Sequence, residues 1–142
     1  MESELLREPF ADESQIESLV RRFESCSLAE FPHASHLSVA LWYLARLPEQ
    51  EAFDRMREGI RRFAAHHDSN LYHETITVFW LRFVRAFLAR EGNDRPAHEL
   101  ANRLVASRPG ARLVSDYYSR ERLAGDESKG SWVEPDLKPL DF

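Results

Sequence analysis

One cysteine, five glycines and no apolar run long enough to span a bilayer are the scarcities that frame this 142-residue chain. Cys26 has nothing to pair with, so an intrachain disulfide framework is excluded, and a reducing, cytoplasmic setting is the expectation. The glycines are scattered, so there is no phosphate-cradling loop. The most apolar stretch, Ile76 to Leu88, is interrupted by Arg82 and Arg85 and falls well short of the roughly 20 apolar residues a membrane helix needs. Basic side chains are outnumbered, 19 Lys and Arg against 24 Asp and Glu, and a formal charge of −5 is the wrong sign for a dedicated polyanion binder. Nucleic acid is therefore not an expected partner. Met1 to Phe10 carries Glu2, Glu4 and Glu8 where a secretory leader would be basic and then apolar.

What the chain has is 43% hydrophobic residues, enough at this length for one self-sufficient core. The spacing of these residues is helical throughout, with no convincing alternation of period two. Ile16, Leu19, Val20 and Phe23 predict a helix over Asp12 to Glu24. Pro32 opens a second, to about Leu47, and Pro48 closes it. Phe53, Met56, Ile60 and Phe63 share one stripe of a third, from Glu49 to His66 or His67. After the turn residues Asp68, Ser69 and Asn70, a fourth and most buried helix is expected over Leu71 to Arg90, ended by Gly92-Asn93-Asp94. Pro96 opens a fifth to about Ser107, and a short sixth is expected around Ala111 to Leu123. The predicted fold is all-α: a compact antiparallel bundle of five to six helices over 1–124. An extended, Pro-containing tail over 125–142 follows, which docks through Trp132, Val133, Leu137, Leu140 and Phe142.

The chemistry-bearing pattern is histidine. His33 and His36 lie three apart and flank the stripe of Leu37, Ala40 and Leu44, so both are expected to face inward. Continuing the third-helix stripe by one turn reaches His67, with His66 beside it. His73 falls on the Ile76, Trp80, Val84 stripe of the fourth helix. Helices joined by short turns run antiparallel, so these imidazoles are predicted to converge at one end of the bundle. Such a set, His33, His36 and His73 completed by His66 or His67, suits zinc, copper, nickel or iron better than magnesium or calcium. Glu74 is the candidate catalytic base, and Asp68 and Tyr72 are neighbours able to orient a ligand. The competing reading is that each inward histidine is a core residue hydrogen-bonded to a carbonyl, since HxxH without a flanking glutamate is not the zincin signature. His98, beside Glu99, belongs to that ordinary class. Glu134 and Asp136 are read as solvated, and Cys26 as inert.

Three phrases, FPHASHL (Phe31 to Leu37), YHETIT (Tyr72 to Thr77) and WVEPDLKPL (Trp132 to Leu140), resemble a group of small bacterial helical proteins with no assigned activity. The resemblance implies that the histidine pair, the YHET segment and the tail belong to one unit; it implies no substrate or cofactor. Two functional expectations follow. One is a cytoplasmic metal-binding protein, a metalloenzyme acting on a small molecule if a coordination position stays open. The alternative is a metal-free accessory protein whose tail and aromatic faces bind a partner or a second copy of the chain.

Overall fold

Local signals in the chain place five long helices. They are α1 (Glu13–Glu24), α2 (His33–Arg46), α3 (Glu49–His66), α4 (Glu74–Glu91) and α5 (Ala97–Ala106). A 3-10 turn (Ala111–Asp116) and two short helices, α6 (Arg120–Ala124) and α7 (Asp126–Gly130), follow. This is a computed structural model that describes residues 9–69, 72–92, 94–107 and 109–142. The architecture is an all-α bundle with eight helical segments and no strand among the described residues, rather than five or six segments. Residues 1–8, which include Glu2, Glu4 and Glu8, lie outside the described residues. So do Asn70, Leu71 and Asn93, which figure at the expected boundaries of the fourth helix. Among the described residues no helix is long and apolar enough to cross a membrane.

The helix ends follow from cap chemistry. The Asp12 carboxylate accepts from the backbone N–H of Gln15 at 3.2 Å and starts α1. Pro32, Pro48 and Pro96 each stand in extended conformation just before a helix, as the capping residue rather than the first helical one. Cys26 (φ 58°) turns the chain out of α1 in the left-handed region, and Gly92 (φ 83°) does so after α4. Two expectations are corrected. The fourth helix begins at Glu74 rather than Leu71, because the His73 side chain takes the cap position. The expected sixth helix is broken between Asp116 and Arg120. There the Ser119 N–H donates to Asp136 Oδ1 at 2.8 Å, and the Ser119 Oγ caps α6 by accepting from the Arg122 N–H at 3.1 Å.

Helix α2 packs against α1, α3, α4 and α5, and the core gathers Ile16, Phe23, Leu37, Leu41, Met56, Phe79, Leu81, Leu100 and Leu104, all essentially without exposure. Gly59 lets α3 approach α1: a Cβ there would lie within clashing distance of a ring carbon of Phe23, which is itself stacked on Phe31 with centroids 4.6 Å apart. At the other side, Phe10 and Asn102 clamp the N-terminal segment to α5 through two bonds of 3.0 and 2.8 Å.

The tail differs from a wholly extended one. It begins as α7, where the buried Ser128 hydroxyl donates to Leu123 O and Gly125 O. Residues 131–142 then run as an extended strap. Thr75 on α4 pins it: its Oγ1 donates to Ser131 O at 2.9 Å and accepts from the Val133 N–H at 3.2 Å. Tyr118 donates to Val133 O at 2.6 Å, and the Leu137 N–H donates to Tyr117 O at 2.9 Å. Tyr117 OH bonds Asp141, and the Phe142 ring sits 5.3–5.7 Å from Phe79, Phe83 and Tyr117.

Two stability outcomes are expected. Gly59→Ala should destabilise by about 1–3 kcal/mol because the overpacked ring outweighs the gain in helix propensity, and a rise in melting temperature would contradict that packing. Thr75→Val should cost about 1–3 kcal/mol in urea denaturation, because it leaves the buried Val133 N–H and the Ser131 carbonyl of the strap without their partner.

Candidate functional site

The histidine pole exists, but its rings are divided. His33 opens α2, its Nε2–H donates to Pro109 O at 2.8 Å, and its ring lies edge-on to Trp80 at 4.5 Å. One turn on, His36 lies 6.5 Å from His33 and 5.6 Å from Phe31, centroid to centroid. Its Nε2 is sealed from solvent and has no hydrogen-bond partner among the described residues. Burial, with the nearby His33 ring adding to it, lowers the His36 pKa to about 4. His66 and His67, at the end of α3, form an exposed pair 5.4 Å apart, and His67 Nε2–H reaches Leu28 O at 3.4 Å.

Between the two pairs stand phenyl rings. His36 touches Phe31, Phe31 lies 5.8 Å from Phe63, and Phe63 lies 4.3 Å from His67. His73 is used differently from the inward-facing ligand expected. As the cap of α4 its Nδ1 accepts from the Ile76 N–H at 3.2 Å, and its Nε2–H donates to Leu123 O at 2.8 Å. Both nitrogens are occupied, and the helix-starting bond fixes the tautomer. The structure therefore joins His33 with His36 and His66 with His67, and sets His73 apart from both as a cap. Among the described residues no three His, Cys, Asp or Glu side chains are grouped to hold a metal ion.

Glu74, the candidate base, is buried at the start of α4 and gripped from both sides. Arg57 Nε donates to Oε2 at 2.8 Å, Tyr72 OH donates to Oε1 at 2.6 Å, and Arg61 lies at 4.0 Å. Burial and the bond to Glu74 push the Tyr72 phenol up to about 12. This cluster ties α3 to α4, and its donors face the carboxylate oxygens that a base would need free. Asp68 sits in a left-handed turn after α3 (φ 55°). His98 is held by Glu13 Oε1, which accepts from both its N–H and its Nδ1 at 2.8 and 2.9 Å.

A second feature was not foreseen from sequence. The strap and α4 border an open groove of about 550 Å³ lined by Arg82, Arg85 and Lys138, by Glu134 and Asp136, and by Leu137, Leu140 and Phe142. Arg85 is paired with Glu49 at 2.6 Å and Lys138 with Asp141 at 3.5 Å. Arg82 is half-buried, its guanidinium sits over the Trp132 ring at 4.0 Å, and it has no ion-pair partner among the described residues. Glu134 and Asp136 belong here and not with the histidines. Trp132 Nε1–H donates to Glu134 Oε2 at 2.9 Å, and the Ser119 hydroxyl and N–H hold Asp136, keeping its carboxyl below the usual range. The sequence signal was the pair Arg82 and Arg85, three apart in the most apolar helix, which share a face. Comparison with family models, with curated proteins and with solved structures found no match.

The buried His36 predicts an acid-sensitive fold. Unfolded, the ring takes up a proton near 6.5; folded, only near 4. Stability is thus full above pH 6.5 and falls as the pH drops toward 4, by about 3 kcal/mol in all for this one group. His36→Phe should flatten that part of the stability–pH curve measured by urea denaturation; parallel curves for the two proteins would contradict it.

Proposed function

We propose that the chain is a binding protein: a helical scaffold that offers the groove between α4 and the strap to an external ligand. The observation that carries this reading is Arg82, a half-buried residue whose guanidinium sits 4.0 Å over the Trp132 ring at a groove of about 550 Å³ and has no ion-pair partner among the described residues. The Arg82 nitrogens have no ion-pair partner among the described residues and are not sealed from water, so a ligand that carries an anionic or acceptor group can reach them from the groove. The volume falls in the range of small-molecule sites. The lone Cys26 supports a reducing compartment such as the cytoplasm for this activity.

A second reading has one observation in its favour. The His36 Nε2 is buried without a partner beside His33, and zinc, copper, nickel or iron held by these two rings would satisfy it. Two imidazoles leave coordination positions for water or substrate, so this reading makes the protein a metalloenzyme acting on a small molecule.

One experiment separates them. Protein purified without a metal-affinity tag is analysed for bound metal, and then screened by NMR against small organic acids, amines and neutral molecules. The groove reading expects chemical-shift changes centred on Trp132, Leu137 and Leu140. Stoichiometric metal that is lost in His36→Ala, with no ligand response at the strap, would overturn it in favour of the second reading.

A further inference from the structure

We infer that the groove takes a small organic carboxylate, an acid group on an apolar body; the inference rests on the groove being the binding surface. One cation at its rim points this way. Of Arg82, Arg85 and Lys138, which line the groove with Glu134 and Asp136, Arg85 is paired with Glu49 and Lys138 with Asp141, and Arg82 has no ion-pair partner among the described residues. The acids nearby are turned to donors on the chain itself: Asp136 to Ser119 at 2.8 and 2.6 Å, Glu134 to the Trp132 indole at 2.9 Å, Asp141 to Tyr117. The positive edge of Arg82 is left unmatched.

Geometry narrows the anion. The Arg82 guanidinium sits 4.0 Å over the Trp132 ring and its N–H groups are neither bonded among the described residues nor sealed from water; a guanidinium's planar fork matches the two oxygens of a carboxylate. The apolar part of the ligand has its own surface. Leu137, 56% exposed, is the one large hydrophobic side chain left open to water among the described residues, and Leu140 and Phe142 line the groove beside it. An acid of one ring and a short chain fits a cavity of this size, whereas a protein partner would need about 800 Å² of contact surface on each side.

The test uses 4-phenylbutyrate, its neutral amide and 4-phenylbutylamine, titrated into the full chain while the indole N–H signal of Trp132 is followed by NMR, that signal being assigned with Trp132→Phe. The acid should shift it saturably. The amide and the amine should bind at least about tenfold more weakly. Arg82→Gln should weaken the acid by a similar factor, and Arg82→Lys, which keeps the charge but loses the fork, by less. Should Arg82→Gln fail to fold, the salt dependence of the native protein decides instead, since an ion-paired ligand weakens as ionic strength rises. Equal binding of acid and amide, or affinity indifferent to salt, overturns the carboxylate assignment and leaves the groove reading intact. A Trp132 signal unmoved by all three compounds overturns both.

Discussion

The first half of helix α4 is buried on every side, and the rest of the molecule is arranged to cover it. Thr77, Val78, Phe79, Trp80 and Leu81 are five consecutive buried residues, and at 100° per residue they pass through a full turn of the helix. No single neighbour can shield such an element. Helices α2, α3, α5 and α7 pack around it, and the strap closes the remaining face through Phe142 against Phe79 and Phe83. The polar groups caught in this burial are satisfied locally: Thr77 Oγ1 donates to His73 O at 2.8 Å, Thr75 serves the strap, and Glu74 is bonded by Arg57 and Tyr72.

The histidines are part of the same solution. Helices supply their own backbone partners, whereas the irregular segments between them leave carbonyls that something must satisfy. Imidazole is short and rigid and carries a donor at its tip. His33, His67 and His73 each spend that donor on a carbonyl far away in sequence, at Pro109, Leu28 and Leu123. Three rings thereby fasten two connecting segments and the C-terminal end of α6 to other parts of the bundle. His36 is the exception: it packs among aromatic rings with its Nε2 unpaired, and burial then holds it neutral.

Much of the fold could be read from the chain because its punctuation is local. Prolines before α2, α3 and α5, Asp12 before α1 and Gly92 after α4 mark boundaries through φ and through capping, which need no tertiary information. The site was less legible. Helical spacing says which face a histidine shares, and antiparallel turns say which pole, but neither says what lies between two rings; here Phe31 and Phe63 do. His73 satisfies the i, i+3 stripe and the cap position equally well, and only the actual start of α4 distinguishes them. The break at Tyr117 to Ser119 was invisible for a similar reason. It exists to serve Val133, Asp136 and Leu137, partners 15 to 20 residues away, whose claim on the backbone outweighs local helix propensity.

The groove inherits its rigidity from this arrangement. The strap is fixed at one end by Thr75, Tyr118 and the Arg82–Trp132 stack, and at the other by Phe142 within the ring cluster of Phe79, Phe83 and Tyr117. A segment anchored at both ends loses little further freedom when something fills the space beneath it, so less of the contact energy is spent on ordering. The anchors also make the groove and the core interdependent. The contacts that cover α4 are the contacts that form the rim, so a strap released from Thr75 would expose Phe79 and dissolve the cavity together. Any ligand that binds only the closed strap must then stabilise the whole bundle, by about 2.7 kcal/mol at a hundred times its Kd. Folding and recognition in this chain rest on the same few bonds.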